Sequence, residues 1–356
     1  SQMPEPPQPA PFRSCSIDES YKYIFLPICY SFTFIFSISL NSVVLYRSFR
    51  QTKRWNASLI YMVNLASTDF MYGLSLPFLV GSYIMRDRWI FGDFMCRLVR
   101  FLFYFNLYCS IFFLTCISVH RYLGICHPMK VITLESKKAV KCTCVLVWIV
   151  VFALTCPIFR FAQTGVIEEY QNCWDDAIDK EFPDYVPYGI TLHLLGFFVP
   201  FSIIAYCYSH VVLTIFRTLR RISIFLGAQS PYASRRRKSI RTIITITLLF
   251  ALCFFPFHVT RTIFLLLKVT KSVPCHTMTT VSMCYKITRP LASFNAWLNA
   301  LLYFLTKDKG GAQCCKAVNT TTQHGDSWNI YSEARPAHGG FAAVVTVKGC
   351  DSSKLK

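Results

Sequence analysis

Charge is what this chain has least of. Only 15% of its 356 residues are charged, where a soluble domain carries about 25%. Acid is scarcer than base, with 18 Asp and Glu against 37 Lys and Arg and a net charge of +19. Two stretches hold no acid at all. One carries Arg47, Arg50, Lys53 and Arg54, and the other runs from Arg217 through Arg220, Arg221 and Arg235 to Arg241. The overall shortage excludes an ordinary soluble fold. The excess base stands in acid-free loops while the acid gathers in the loop from Glu168 to Asp184, a one-sided distribution that argues against nucleic acid as a partner. No metal-ligand cluster and no nucleophile beside a base stands at useful spacing, which argues against an enzyme. No internal repeat or matched pair of broken spans is visible, which argues against a transporter. The Pro-rich opening lacks the basic stretch and apolar core of a signal peptide, so the first span is expected to act as an uncleaved anchor.

What the chain does have is length of apolar sequence. Hydrophobic residues make up 53% and aromatics 16%, gathered into blocks at 24–46, 57–83, 94–125, 139–161, 186–216, 240–267 and 281–305. Each exceeds the ~20 residues a helix needs to cross a bilayer. The expected fold is therefore an all-α membrane protein, a seven-transmembrane helix bundle. Basic loops stay in the cytoplasm, so residues 1–22 are expected outside and 23–306 in the bundle. Residues 307–356 then form a cytoplasmic tail, polar enough to be disordered. The sequons at Asn56 and Asn319 fall on the cytoplasmic side and are not expected to carry glycan. Of 17 cysteines, four fall in exterior segments: Cys15, Cys96, Cys173 and Cys275. An oxidising exterior permits disulfides, and four cysteines leave three connectivities open.

Arg100, Arg261 and Arg289 lie inside apolar spans. A charged side chain there costs at least ~2.5 kcal/mol, so it faces a protein interior or a wet cavity. At 1.5 Å per residue, Arg100 sits about 32 Å from Arg121 and Arg261 about 30 Å from Arg241. Arg289 is about 21 Å from Tyr303, so all three belong to the outer half. His258 shares the face of Arg261, and Tyr104 and Tyr285 stand one turn from Arg100 and Arg289. Lys286 adds a point charge. Arginine forks onto phosphate oxygens through paired hydrogen bonds, and aromatic rings stack on a base. Such a cluster calls for a compact, multiply charged anion. The bland alternative is pairing with the acidic loop of Glu168, Glu169, Asp175 and Asp176.

The motifs narrow the reading. Asn64-Leu-Ala-Ser-Thr-Asp69 lies in block two, Ser118-Val-His-Arg-Tyr122 ends block three, and Trp148 sits in block four. Pro200 and Pro256 lie in blocks five and six, and Asn299-Ala-Leu-Leu-Tyr303 ends block seven. This order, with Cys96 heading block three, resembles the rhodopsin-like G-protein-coupled receptors over about residues 20–306. Arg100-Phe-Leu-Phe-Tyr-Phe-Asn-Leu-Tyr-Cys-Ser110, Phe255-Pro-Phe-His-Val-Thr-Arg-Thr-Ile263 and Tyr285-Lys-Ile-Thr-Arg-Pro-Leu-Ala-Ser293 are similar to the metabotropic nucleotide receptors, the purinoceptors. The nearest branch is the one answering UTP and ATP.

That resemblance implies a plasma-membrane receptor for an extracellular nucleotide (UTP, ATP, UDP or ADP). The ligand would be held by Arg100, Tyr104, His258, Arg261, Tyr285 and Arg289, with Asp175 at the lid. It implies the disulfides Cys96–Cys173 and Cys15–Cys275. A sodium ion on Asp69, Ser110, Asn295 and Asn299 would be the one bound cofactor. Arg121, Tyr208, Pro256 and Tyr303 would carry activation to a Gq-type G protein, phospholipase C and calcium, with arrestin as a further partner. Cys314 and Cys315 are candidates for palmitoylation. Within the fold, the alternative ligand is another anion, such as a lysophospholipid or a dicarboxylate; an anion transporter is the alternative class. Three positions depart from the pattern: Asn299-Ala300 replaces Asp-Pro, Phe254 replaces a tryptophan, and Lys307-Asp-Lys-Gly-Gly311 replaces an amphipathic helix start. Without a proline at 300, span seven is expected to be straighter near Asp69, with Tyr303 less easily swung inward toward Tyr208.

Overall fold

The computed structural model describes residues 22–130, 136–167, 170–174, 182–225, 231–270, 273–306, 329–332 and 345–348. Seven spans make up the bundle. Span one is Lys22–Tyr46 with a π-helical turn Arg47–Gln51, span two Ala57–Ile84, span three Asp93–Cys126 and span four Lys137–Thr155. Span five joins Phe182–His193 to Val199–Phe225 through a π turn, Leu194–Phe198. Span six joins Pro231–Leu249 to Phe255–Val269 through another, Phe250–Phe254. Five of the seven are long and apolar enough to cross a membrane by length and composition. Spans two and seven are the two below that threshold.

Span four shows how the sequence sets burial. Its buried residues are Val140, Cys144, Val147, Val151 and Thr155, a single stripe at helical spacing. Leu146, Ile149 and Phe152 on its other faces are more than half exposed, which is what a lipid-facing helix surface requires. Caps start the helices cleanly. The Asn56 side chain accepts from Leu59 N–H at 2.8 Å, and Ser136 accepts from Ala139 N–H at 3.2 Å. Each satisfies one of the donors that a helix start leaves open. Gly73 lets spans one and two cross closely, since a Cβ there would lie 2.9 Å from Ser37 Oγ.

Both of these π turns, in spans five and six, precede a proline. Pro200 and Pro256 have no N–H and crowd the carbonyl four residues back. Those carbonyls belong to Gly196 and Leu252, inside the widened turns. The extra residue per turn absorbs the clash.

Span seven corrects the sequence reading. It is two helices, Cys275–Ser293 and Asn295–Thr306, with Phe294 between them. Pro290 lies in the last turn of the first, and Phe294 N–H donates to Pro290 O at 3.1 Å and Leu291 O at 3.2 Å. The interruption expected to be missing at Ala300 stands six residues earlier.

At one end of the bundle, β1 (Thr164–Ile167) and β2 (Tyr170–Cys173) form an antiparallel hairpin with Thr164 opposite Cys173. The Cys96–Cys173 disulfide ties it to span three, with Cα atoms 5.6 Å apart. Cys275 is also disulfide-bonded; Cys15, its expected partner, lies outside the described residues. Residues 307–356 form a unit of their own. Their described part is an antiparallel hairpin, β3 (Asn329–Ser332) with β4 (Val345–Lys348), where the polar composition had suggested no regular element. Val345, Val347, Ile330 and Tyr331 are residues that favour strands.

Candidate functional site

Below the β1–β2 hairpin lies a cavity of about 500 Å³. Among its described lining residues, five are cationic (Lys22, Arg86, Arg100, Lys268 and Lys286) and one, Asp87, is acidic. Phe264 and Tyr285 supply stacked aromatic wall, their ring centroids 5.4 Å apart. Arg100 is buried and donates from Nη2 to the carbonyl of Cys173 at 3.0 Å. The disulfide therefore places both the hairpin over the cavity and a partner for this arginine.

Of the predicted ligand residues, Arg100, Tyr285 and Lys286 line this space. Arg261 is completely buried behind it and donates to the hydroxyls of Tyr285 and Tyr185. Its guanidinium also faces the rings of Tyr285, Tyr104 and Tyr185 at 5.1, 5.5 and 5.5 Å. A guanidinium over aromatic faces is stabilised by the ring quadrupoles, more so away from water. Arg289 stands over Phe103 at 4.9 Å. His258 sits one turn deeper, its Nδ1–H donating to Phe254 O (2.7 Å), its Nε2 3.1 Å from Tyr108 Oη, and its ring stacked on Phe197 at 4.2 Å. Asp175, Cys15, Cys314 and Cys315 lie outside the described residues. The sequence reading did not single out Lys22, Arg86, Asp87 and Lys268, which stand at helix ends and in a turn. Tyr185, the second hydroxyl on Arg261, was also missed.

A second polar group lies deeper, where spans two, three and seven meet. Asp69 is completely buried. Its Oδ1 accepts from Asn106 Nδ2 at 2.6 Å and Ser110 Oγ at 3.4 Å, and its Oδ2 from Asn299 Nδ2 at 3.1 Å. Ser110 Oγ also donates to Asn295 Oδ1 at 3.0 Å. All four residues expected around a sodium ion are thus brought together. Asn106 was missed, although it stands four residues before Ser110 and so shares its helix face. The break at Phe294 is what turns Asn295 and Asn299 onto this cluster from the start of a fresh helix. Nearby, Trp148 Nε1 donates to Asn64 Oδ1 at 2.9 Å and Asn41 Nδ2 to Ala296 O at 2.7 Å.

At the far end of span three, Ser118 Oγ and Tyr208 Oη are 2.7 Å apart. Arg121 follows one turn later, and Tyr303 is buried in span seven. Tyr208 is therefore already bonded to span three in this conformation. Pro256 is the second residue after the π turn of span six.

The family profile described as "7 transmembrane receptor (rhodopsin family)" matches residues 40–303. Purinoceptor 3 of Meleagris gallopavo is 40% identical over 299 residues, covering 83% of this chain and 89% of the relative. Purinoceptor 2 of Mus musculus is 41% identical over 82% of this chain and 76% of its own. Purinoceptor 4 of Rattus norvegicus is 40% identical over 83% of this chain and 79% of its own.

Proposed function

The chain belongs to the rhodopsin family of seven-transmembrane receptors and, within it, to the metabotropic purinoceptors, and from that footing we propose that it is a receptor for extracellular nucleotides, UTP and ATP foremost. It is a multi-pass plasma-membrane receptor and not an enzyme. The hairpin end faces outside in this reading, because the acid-free loops belong in the cytoplasm. One observation carries the ligand class: a cavity of about 500 Å³ whose described wall holds five cations against one carboxylate.

The phosphates engage Arg100, Lys268 and Lys286 at the wall, where charge-assisted bonds are shorter and stronger than neutral ones. The base stacks on Tyr285 and Phe264. Arg261 acts from behind Tyr285, orienting its hydroxyl and adding positive potential to the floor, with Arg289 and Tyr104 in the same layer. Asp175 serves the lid and the Cys15–Cys275 disulfide secures the first segment to span seven. His258 carries the change in span six to Tyr108 on span three. Rearrangement pivots at the π turn before Pro256 and reaches Tyr208, Tyr303 and Arg121, which engage a Gq-type G protein and, later, arrestin. The Asp69 cluster fits a sodium ion by donor chemistry: one carboxylate, a hydroxyl and amide oxygens are hard ligands, and Asn299 Oδ1 is buried without a hydrogen-bond partner. Palmitate on Cys314 and Cys315 would hold the tail to the bilayer.

Calcium mobilisation in expressing cells, measured with UTP, ATP, UDP and ADP, tests this. A response to triphosphates that a Gq inhibitor removes is expected. Silence to all four at normal surface level would overturn the ligand class.

A further inference from the structure

Asp87 is the one carboxylate among the described residues that line the cavity. It stands in the turn that closes span two, where Arg86 and Asp87 are consecutive left-handed residues at φ 54° and 65°. Each such residue costs about 1–2 kcal/mol when it is not glycine. Backbone bonds hold the turn in place. Asp87 N–H donates to Ser82 O at 3.0 Å and Arg86 N–H to Tyr83 O at 3.2 Å, while Trp89 N–H reaches Gln171 O of the hairpin at 2.9 Å. These backbone bonds fix the turn from which the carboxylate projects.

Its described side-chain partners both come from span one. Lys22 Nζ donates to Asp87 Oδ2 at 2.7 Å, and Tyr23 Oη donates to the same oxygen at 3.2 Å. The ion pair is mostly shielded, its side chains 15% and 17% exposed. Lys22 and Tyr23 themselves line the cavity. Span one is thus clasped to a fixed carboxylate by the ammonium that a phosphate in the cavity would attract.

We propose that Asp87 is a specificity-determining residue that holds Lys22 in reserve, so that only a ligand with enough negative charge draws Lys22 across. This rests on the nucleotide reading above. A short phosphate chain engaging Arg100 and Lys286 leaves the clasp closed. A longer chain offers Lys22 a second oxygen, but it must separate a shielded ion pair and approach a carboxylate that has lost its cation. Lysine suits this exchange, because its ammonium is a point charge on a flexible stem. Asp87 thereby sets the potency ratio between triphosphate and diphosphate.

The test is the UTP-to-UDP potency ratio in calcium assays at matched surface level. Asp87→Asn keeps the shape and the acceptor for Tyr23 but removes the charge. It is expected to raise UTP potency about tenfold and move UDP by less than about threefold. Lys22→Gln is expected to lower UTP potency and spare UDP, and in that background Asp87→Asn should give no gain, as coupled residues require. Asp87→Glu, which retains the charge, should keep the wild-type ratio and also reports whether the turn tolerates substitution. Equal shifts for UTP and UDP in Asp87→Asn, or a gain that persists beside Lys22→Gln, would overturn the proposal and leave a purely structural clasp. A wild-type receptor at the surface that answers no nucleotide would instead sink the ligand reading, and this proposal with it.

Discussion

The bundle contains two polar regions built on opposite plans. Around Asp69, one carboxylate meets short neutral donors from two other spans, and the group is nearly satisfied within the chain. Around the cavity, long cationic side chains face one carboxylate. The first plan suits a site that biases the packing of helices, because small amides shift partners in small steps. The second suits a site that binds, because long charged side chains gather around an incoming anion. Perturbing the cavity should therefore change potency, whereas perturbing the deep cluster should change response and ion sensitivity.

The sharpest way to break this division is Arg261→Ala. It removes the cation behind Tyr285 and takes a charged donor from the hydroxyls of Tyr185 and Tyr285, both bonded to it. Charge-assisted bonds are worth ~1.5–3 kcal/mol, so agonist potency should fall roughly ten- to hundredfold. Arg261→Lys should recover little, since one ammonium lacks the planar fork that reaches both hydroxyls. Potency left intact with a depleted surface population would mark Arg261 as structural and erase the contrast.

Next in size is Gly196→Ala, at the joint between the two regions. An added Cβ would lie 2.5 Å from the ring of Tyr108, which bonds His258. Overpacking of this kind costs ~1–3 kcal/mol. The purified receptor should melt earlier, and potency should drop several-fold because Tyr108 and His258 no longer register. A melting curve superimposable on wild type would show that the π turn of span five yields instead.

A smaller effect is expected from Asp69→Asn, which keeps the shape of the deep cluster and removes its charge. Replacing sodium with choline should change agonist potency in the wild-type receptor but not in the variant. In sodium-free buffer the two should agree within about threefold, the scale of a modest hydrogen-bond change. Unaltered sodium sensitivity in the variant would remove the ion from Asp69.

How much of this is legible in the sequence follows from reach. The deep cluster is made of short side chains, so helix identity and depth nearly determine their contacts. Asp69, Ser110, Asn295 and Asn299 meet where their depths along three spans put them, and the spacing of Asn106 to Ser110 adds the fifth member. The arginines are long, and depth along a helix says little about where a guanidinium ends. Arg261 turns to two tyrosines that helix spacing does not assign to it: Tyr285 stands one turn from Arg289, and Tyr185 lies on another span. Cavity residues in turns, Arg86 and Asp87, have no periodicity to betray them; their left-handed backbone is set by contacts with Ser82 and Tyr83. The break at Phe294 escapes a reading that looks for proline at 300, although Pro290 is its signal in the sequence.

That break also bears on the smallest expected effect, Ala300→Pro. Proline at 300 removes the bond from its own N–H to Ala296 O and crowds that carbonyl. In most helices the loss would be severe, about 3 kcal/mol. Here Ala296 O keeps a second donor, Asn41 Nδ2 at 2.7 Å. Ala300 is buried against a narrow cleft lined by Asn41, Val44, Met62, Leu65 and Tyr303, among others, so any bend is steered by these neighbours. Tyr303, one turn on, would swing with it, while the cavity is more than two turns away on the other side of the Phe294 break. Maximal agonist response should therefore rise modestly while potency stays within about threefold of wild type. Loss of both surface receptor and maximal response would show that spans one and two already hold the second half of span seven in its signalling geometry. The deep region would then be a fixed packing element, and only the cavity would remain adjustable.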